Sequence, residues 1–188
     1  MSKHSIKYSN LLYFFTRGNK KYLLITIIIF LVVFYISYFG FSEILKDDIK
    51  DMEGTDYKEF KVDSFLDFFI NNSKVFLCTA LGLGFITFFS LLYQAYSLGM
   101  LYSLWIHQGL SIKTFALLTI PHGIFEIPAL FIAGAIGFRS FTLLIHYLRK
   151  KDLDYRKNFE QISYNLILMI FLTFLAALVE YFVTQKIV

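Results

Sequence analysis

Cysteine, tryptophan and proline are scarce in this chain of 188 residues, which has one Cys, one Trp and two Pro. A single cysteine, Cys78, cannot form an intramolecular disulfide or a cysteine-based metal cage. A glycine-rich loop of the kind that binds nucleotide phosphates is absent, and no nucleophile–base arrangement stands out. We therefore expect no ATP hydrolysis by this chain, no cofactor and no enzymatic activity of its own.

Acidic residues are absent from the first 21 positions, which carry Lys3, Lys7, Arg17, Lys20 and Lys21. Apolar residues in this segment, from Ile6 to Phe15, are spaced so that they can line one face of a helix. An amphipathic helix on the cytoplasmic membrane surface and a disordered basic tail both fit this pattern.

Apolar and aromatic residues are abundant. They make up 57% and 20% of the chain, and the mean hydropathy is +0.60, whereas a soluble domain is roughly 45–50% apolar. The net charge of +4 is concentrated in short segments between apolar runs. This pattern indicates membrane orientation rather than nucleic-acid binding, so we predict a single membrane domain in the lipid bilayer.

The apolar runs predict an all-α integral membrane protein with about five transmembrane helices in the cell membrane. The predicted spans are 22–41, 72–96, 97–120, 121–148 and 162–184. The N-terminal segment 1–21 precedes them, and the acidic extracytoplasmic segment 42–71 and the basic cytoplasmic loop 149–161 connect spans. A secretory signal is the alternative for the first span, but no Ala-x-Ala cleavage site follows it. Phe60 to Ile70 is predicted to be an interfacial helix, or else a protein contact.

Segment 97–120 is the hardest to interpret, because His107, Gln108, Gly109 and Lys113 interrupt it. It fits either a broken span or a re-entrant hairpin. Loop 149–157 is basic and is therefore expected inside. One crossing by 97–120 is then required, with the N-terminus cytoplasmic and the C-terminus extracytoplasmic.

Both prolines lie in one stretch between two apolar runs, Pro121-His122-Gly123-Ile124-Phe125-Glu126-Ile127-Pro128. Two prolines remove backbone hydrogen bonds, so we predict a broken or re-entrant element there. Ionisable groups within an apolar segment are costly unless they have partners, and they usually mark a functional site. His122 and Glu126 share a helix face if the helix continues through Gly123.

Two interpretations of this pair remain open. A His and a carboxylate can bind zinc, but a catalytic site usually needs three protein ligands, and only Glu180 or His107 are candidates to complete it. The alternative is a hydrogen-bonded polar cluster of His122 and Glu126, joined by Glu180 or Arg139. We favour the polar cluster and expect no metal.

Small residues recur where helices are expected to pack closely. Gly82 and Gly84 lie within the predicted second span, and Ala129, Ala133 and Gly137 follow one another at four-residue spacing. This small-residue face, as we call the last three residues, also favours association of two copies, so we expect a homodimer.

The proline-bracketed stretch, continuing through Ala129 and Ala133-Gly134-Ala135 to Gly137, resembles the signature of the stage II sporulation protein M family. Weaker matches extend the resemblance over about 71–184. They are Asn71-Asn72, Gly82, Gly84, Gly99, Glu180, Phe182 and Thr184. The Pro-His-Gly-x-x-Glu core is more similar to the general family than to its strictly sporulation members.

The resemblance implies three hypotheses about function. Some members accompany ATP-binding subunits in bacteriocin clusters, which implies export of a peptide or immunity to it. Sporulation members are scaffolds for peptidoglycan hydrolases, and the acidic segment 43–63 would then recruit the hydrolase. The third hypothesis, from the residues alone, is an intramembrane metalloenzyme.

Overall fold

The computed structural model describes residues 19–48, 64–108, 111–150 and 154–183, and these ranges contain five helices and no strand. The helices are α1 (Lys20–Asp48), α2 (Phe65–Leu81), α3 (Phe85–His107), α4 (Ile112–Leu148) and α5 (Tyr155–Phe182). The predicted all-α class with about five helices is confirmed. Residues 1–18 of the predicted amphipathic segment and residues 49–63 of the acidic segment lie outside the described residues.

Four of the helices in the described ranges are long and apolar enough to cross a membrane. They are α1 over Lys20–Leu45, α3, α4 and α5. The remaining helix, α2, has 17 residues, so it is about 26 Å long, near the lower limit for a span. Large apolar side chains such as Ile36 (68% exposed) and Phe85 (72% exposed) cover the outer surface of the bundle. Such a surface suits lipid rather than water.

Helices that follow one another along the chain alternate in direction. Helices α1 and α3 run parallel, because Ser37 Oγ donates to the carbonyl of Tyr96 (2.8 Å) and Ser42, farther along α1, meets His107 at the end of α3. Helix α4 is antiparallel to them, since its Gly134 borders Thr26 and Leu91 while its earlier Phe115 packs on Tyr102. Helix α5 runs antiparallel to α4, and α2 runs antiparallel to α3.

A tight turn separates α2 from α3 inside the stretch that we predicted as one span, 72–96. Leu83 and Gly84 have positive φ angles of 44° and 80°, a region that glycine adopts readily and leucine does not. Thr87 Oγ1 of α3 donates to the carbonyl of Thr79 in α2 (2.8 Å) across this hairpin. Gly82 and Gly84 therefore serve a turn rather than a helix–helix contact within a span.

Helix α4 runs without interruption through both prolines. The break that we predicted around Pro121–Pro128 is therefore wrong. Each proline removes only one backbone donor, and the hydrogen bonds of the flanking turns are enough to continue a membrane helix. Helix α3 ends earlier, at His107, and α4 starts at a cap where Ser111 Oγ accepts from the amide of Lys113 (3.2 Å). The predicted span 97–120 is thus divided between α3 and α4.

The small-residue face of α4 forms the centre of the bundle. Ala129 and Ala133 are completely buried, and a Cβ atom placed on Gly137 would collide with Thr87 Oγ1 and lie 2.6 Å from the carbonyl oxygen of Thr79. This close approach lets α4 pack on the α2–α3 hairpin. The small-residue face is buried within one chain. It is therefore not available to a second copy, contrary to our expectation.

Replacing Gly84 by alanine tests the hairpin turn. The added Cβ would lie 2.8 Å from Phe141 Cβ at a positive φ angle, and that conformation alone costs about 1–3 kcal/mol for a residue other than glycine. We expect a lower melting temperature for the purified protein in detergent.

The matched control is Gly40→Ala in α1, where nothing lies within 4 Å of the new Cβ. Alanine is favoured over glycine inside a helix by roughly 0.5–1 kcal/mol, so this variant should melt at the same temperature or higher. Equal melting temperatures for both variants would contradict the turn.

Candidate functional site

A cavity of about 110 Å³ lies between α1, α2, α3 and α4 at the predicted His–Glu pair. Its polar lining consists of Gln94 of α3 and Thr119, His122 and Glu126 of α4. Phe30, Phe76, Leu98, Ile127 and Leu130 close the apolar part of the wall. A few polar groups converge on an otherwise apolar cavity, which is the usual composition of a small binding or coupling site.

His122 and Glu126 point into this cavity from successive turns of α4. His122 Nε2 lies 3.8 Å from Glu126 Oε2, and the two side chains are 16% and 31% exposed. Because α4 continues through Gly123, the four-residue spacing puts both side chains on one face. At this distance the two groups form an ion pair only when the imidazole is protonated.

Gly123 itself lines the cavity and keeps it open. A Cβ atom placed on it would have Ile127 Cδ1, 3.9 Å away, as its only neighbour, which is an ordinary van der Waals distance. Any larger side chain at this position would occupy the cavity. Of the two prolines that bracket the site, Pro121 is half-buried and Pro128 is exposed.

Glu180, near the end of α5, is within electrostatic range of Glu126, but it does not line the cavity. His107 lies elsewhere, with Nδ1 2.9 Å from the carbonyl oxygen of Ser103 and Nε2 3.4 Å from Ser42 Oγ. Among the described residues, no three His, Cys, Asp or Glu side chains are grouped so that they could hold a metal ion.

Arg139 does not join this cluster. It lies 13 residues after Glu126 on α4, about 20 Å away along the helix axis, where α1 and α5 begin. Its side chain is buried, with 5% exposure. The structure therefore separates the four predicted polar residues into two groups about 20 Å apart along α4.

The guanidinium group of Arg139 is held by three amide oxygens. It donates to Asn19 Oδ1 (2.7 Å) before α1, to Asn158 Oδ1 (2.6 Å) in α5 and to Gln161 Oε1 in α5. A guanidinium group has five N–H donors in a rigid fork, so it can bridge three segments at once. We call these four residues the arginine cluster; it ties the starts of α1 and α5 to α4.

The sequence pointed to the ionisable members of both groups but missed the neutral ones. Gln94 and Thr119 of the cavity, and the three amide residues of the arginine cluster, were not singled out. Gln94 carried a signal, because it is an amide within an apolar run and such a residue usually has a partner inside a bundle.

Replacing Arg139 by methionine should destabilise the protein strongly. The three amide oxygens would lose a charged donor, and one hydrogen bond to a charged group is worth roughly 1.5–3 kcal/mol. We expect a clear fall in the melting temperature in detergent. Arg156→Ala is the control, because Arg156 is 91% exposed and pairs only with Glu160. The cluster would be unimportant if both variants melted like the wild type.

Comparison with known proteins assigns the chain to a family. A family described as Stage II sporulation protein M matches residues 23–185. The chain is also 27% identical, over 173 residues, to an uncharacterized protein of Methanocaldococcus jannaschii, an alignment that covers 88% of this chain and 94% of the relative. No solved structure matches. Since the family match reaches each of the four described helices that can cross a membrane, the chain is a multi-pass membrane protein that belongs to the Stage II sporulation protein M family.

Proposed function

We propose that this protein is a non-catalytic membrane subunit of an assembly that exports a peptide or protects the cell against one. An ATP-binding partner on the cytoplasmic side would supply the energy. In the cell membrane, the N-terminus would lie on the cytoplasmic side and the C-terminus on the extracytoplasmic side.

The observation that supports it best is the continuity of α4. This helix has 37 residues and is therefore about 55 Å long, whereas the hydrocarbon core of a bilayer is about 30 Å thick. One continuous helix carries His122 and Glu126 at the cavity and Arg139 about 20 Å farther along, and it continues to Leu148 beside the basic loop. A force applied at the basic end would be transmitted to the cavity.

The arginine cluster supports the orientation. Asn19 and Asn158 both bind Arg139, so the starts of α1 and α5 lie at the same end of the bundle. The basic residues of segment 1–21 and those of loop 149–157 adjoin these two starts. Two basic segments that adjoin one end of the bundle fit the positive-inside rule with that end in the cytoplasm.

The size of the cavity favours an assembly over a single-chain channel. A volume of about 110 Å³ is well below the roughly 300–1,000 Å³ of sites that hold drug-sized ligands, and a peptide is larger still. A peptide path would therefore lie at an interface with another copy or with a partner, and the cavity would act as a coupling site.

The other two hypotheses have less support from the structure. Recruitment of a wall hydrolase depends on the acidic segment 43–63, and the structure describes only its beginning, up to residue 48. A metalloenzyme needs a third ligand at the His–Glu pair, and the described residues provide none within reach.

Glu126→Gln should separate coupling from assembly. The amide keeps the size of the side chain but removes its charge, so we expect the variant to be produced and to pull down the same ATP-binding protein as the wild type. Peptide export or resistance of the host should fall by at least tenfold. Gly123→Leu, which fills the cavity, should have the same effect.

The control is Glu160→Gln, a change on the exposed surface of α5 that should leave transport and resistance unchanged. If pull-downs from the native host recover no ATP-binding protein, or if Glu126→Gln is as active as the wild type, the proposal is refuted.

Charge reversal in the basic loop tests the docking side. Arg156 and Lys157 are exposed at the start of α5, so Arg156→Glu with Lys157→Glu should reduce recovery of the ATP-binding partner without lowering the melting temperature. The matched control is Lys113→Glu, an exposed residue at the opposite end of the bundle. Equal partner recovery from both variants would contradict docking at this end.

A further inference from the structure

The outward face of α2 exposes polar and charged residues in the middle of the helix, beside apolar ones such as Leu66 and Ile70. Its exposed residues include Asp67, Asn71, Lys74, Cys78 and Leu81, which follow one another at spacings of four, three, four and three. We call these five residues the α2 seam. The exposed side chains of α1 at comparable positions are apolar, for example Leu31, Val32 and Ile36.

Packing contacts locate Lys74 at membrane depth. Phe69, five residues before it, packs edge-on against Phe174 of α5, with ring centroids 5.7 Å apart. Phe76, two residues after it, lines the cavity beside Leu130 of α4. Lys74 therefore lies at a level between Phe174 and Leu130, which are both inside helices that can cross the membrane.

An exposed lysine and asparagine at this depth would be costly against lipid. Insertion measurements put a lysine at the centre of a membrane helix at about 2.5–3.5 kcal/mol. The side chain starts about 10 Å from the C-terminal end of α2 and about 14 Å from its N-terminal end, which limits how far snorkelling can bring it toward either surface. The α2 seam therefore requires a protein neighbour.

We propose that the α2 seam is the contact between two copies of this chain, related by a two-fold axis along the membrane normal. Alternating spacings of four and three are typical of the residues along which two helices coil around each other. A two-fold axis in this direction sets α2 parallel to its copy at equal depth. Each seam residue then lies at the same depth as its counterpart in the other copy.

The chemistry of the seam suits a second copy. Asn71 has both donors and acceptors, so two asparagines can bond to each other, and a single asparagine in such a seam fixes register and pairing. The seam carries one acid and one base, so it has no net charge that would select an oppositely charged partner. Side chains lean toward the N-terminus of a helix, which directs Lys74 toward Asn71 and Asp67 of the other copy.

This inference rests on the proposed function in one respect, namely that the protein works in an assembly. It deepens that proposal by naming a surface and an occupant. It also replaces the small-residue face, which the fold buries, as the basis for a homodimer.

The native cysteine provides a test without any mutation. In the proposed dimer Cys78 faces Cys78 of the other copy, so oxidation of the wild-type protein in purified lipid vesicles should give a disulfide-linked dimer. Cys78→Ser should abolish it. Moving the thiol along the seam with Cys78→Ser and Leu81→Cys, at a seam residue that is 69% exposed, should restore it.

A thiol on another lipid-facing surface is the matched control. The pair Cys78→Ser and Ile36→Cys places it on α1, at a residue that is 68% exposed, and should give at least tenfold less dimer. Equal cross-linking from Ile36→Cys would indicate random collision and overturn the proposal. No cross-link at either seam position would also overturn it, as would a cross-link in native membranes to a different protein alone.

Asn71→Leu measures the contribution of the asparagine. Leucine gains nothing over lipid tails as a neighbour, so the dimer formed through Cys78 should fall about fivefold, in line with a hydrogen bond of roughly 1 kcal/mol in a membrane. Tyr93→Leu, at a 67% exposed site on α3, should leave cross-linking unchanged. Unchanged cross-linking in Asn71→Leu would overturn the role of the seam.

These outcomes are distinct from those of the proposed function. Cross-linking in purified vesicles needs no ATP-binding protein. A chain that cross-links in vesicles but recovers no ATP-binding protein from its native host would therefore refute the export proposal and leave the seam intact. A partner recovered with a chain that does not cross-link would do the reverse.

Discussion

The close approach of α4 to the α2–α3 hairpin is the contact on which the rest of the fold depends. Lipid tails are as apolar as leucine, so the helices of this bundle gain little from burying apolar surface and must associate through close packing and hydrogen bonds. At Gly137 the backbones come near enough that no side chain fits. Buried threonines at this level bond to carbonyls, either four residues back, as Thr79 does to Val75 (2.8 Å), or across the hairpin, as Thr87 does.

Because this contact fixes α4, the two polar groups on α4 acquire definite surroundings. The cavity forms where α4 faces α1 and α3 with small or polar residues instead of bulky ones, and Gly123 keeps it open. The arginine cluster forms about 20 Å farther along α4, where the starts of α1 and α5 bring amide side chains to Arg139. One group is partly accessible and ionisable, whereas the other is buried and held by neutral oxygens, which suits a coupling site and a structural anchor respectively.

The sequence predicted the all-α class and the number of helices well, because runs of about 20 apolar residues have few alternatives in a membrane. It predicted the ends of the central helices poorly. Gly82 and Gly84 fit both a close helix contact and a tight turn, and only the positive φ angle at Gly84 separates the two. Pro121 and Pro128 suggested a break. Each proline removes only one backbone hydrogen bond of the helix, however, and the bonds of the flanking turns continue it.

The neutral polar residues were not predicted from the sequence for a related reason. Asn19, Asn158 and Gln161 are unremarkable at the ends of apolar runs, and they become significant only once α1, α4 and α5 meet at Arg139. The motif of Pro121 to Pro128 located one polar group and the family, but a local motif carries no information about which distant helix will face it.

The positions of small and polar residues on the helices indicate how the protein divides its internal and external contacts. The small-residue face lies on α4, the longest helix, and is buried within the chain. The polar seam lies on α2, the shortest, which stands at the surface of the bundle. Small residues permit close packing with any neighbouring helix, whereas an asparagine and a lysine at fixed spacing can pack only against the few surfaces that offer polar partners. On the proposed dimer, a chain that buries its small residues and exposes its polar seam would form its core before assembly, and its α2 surface would be stable in lipid only after assembly.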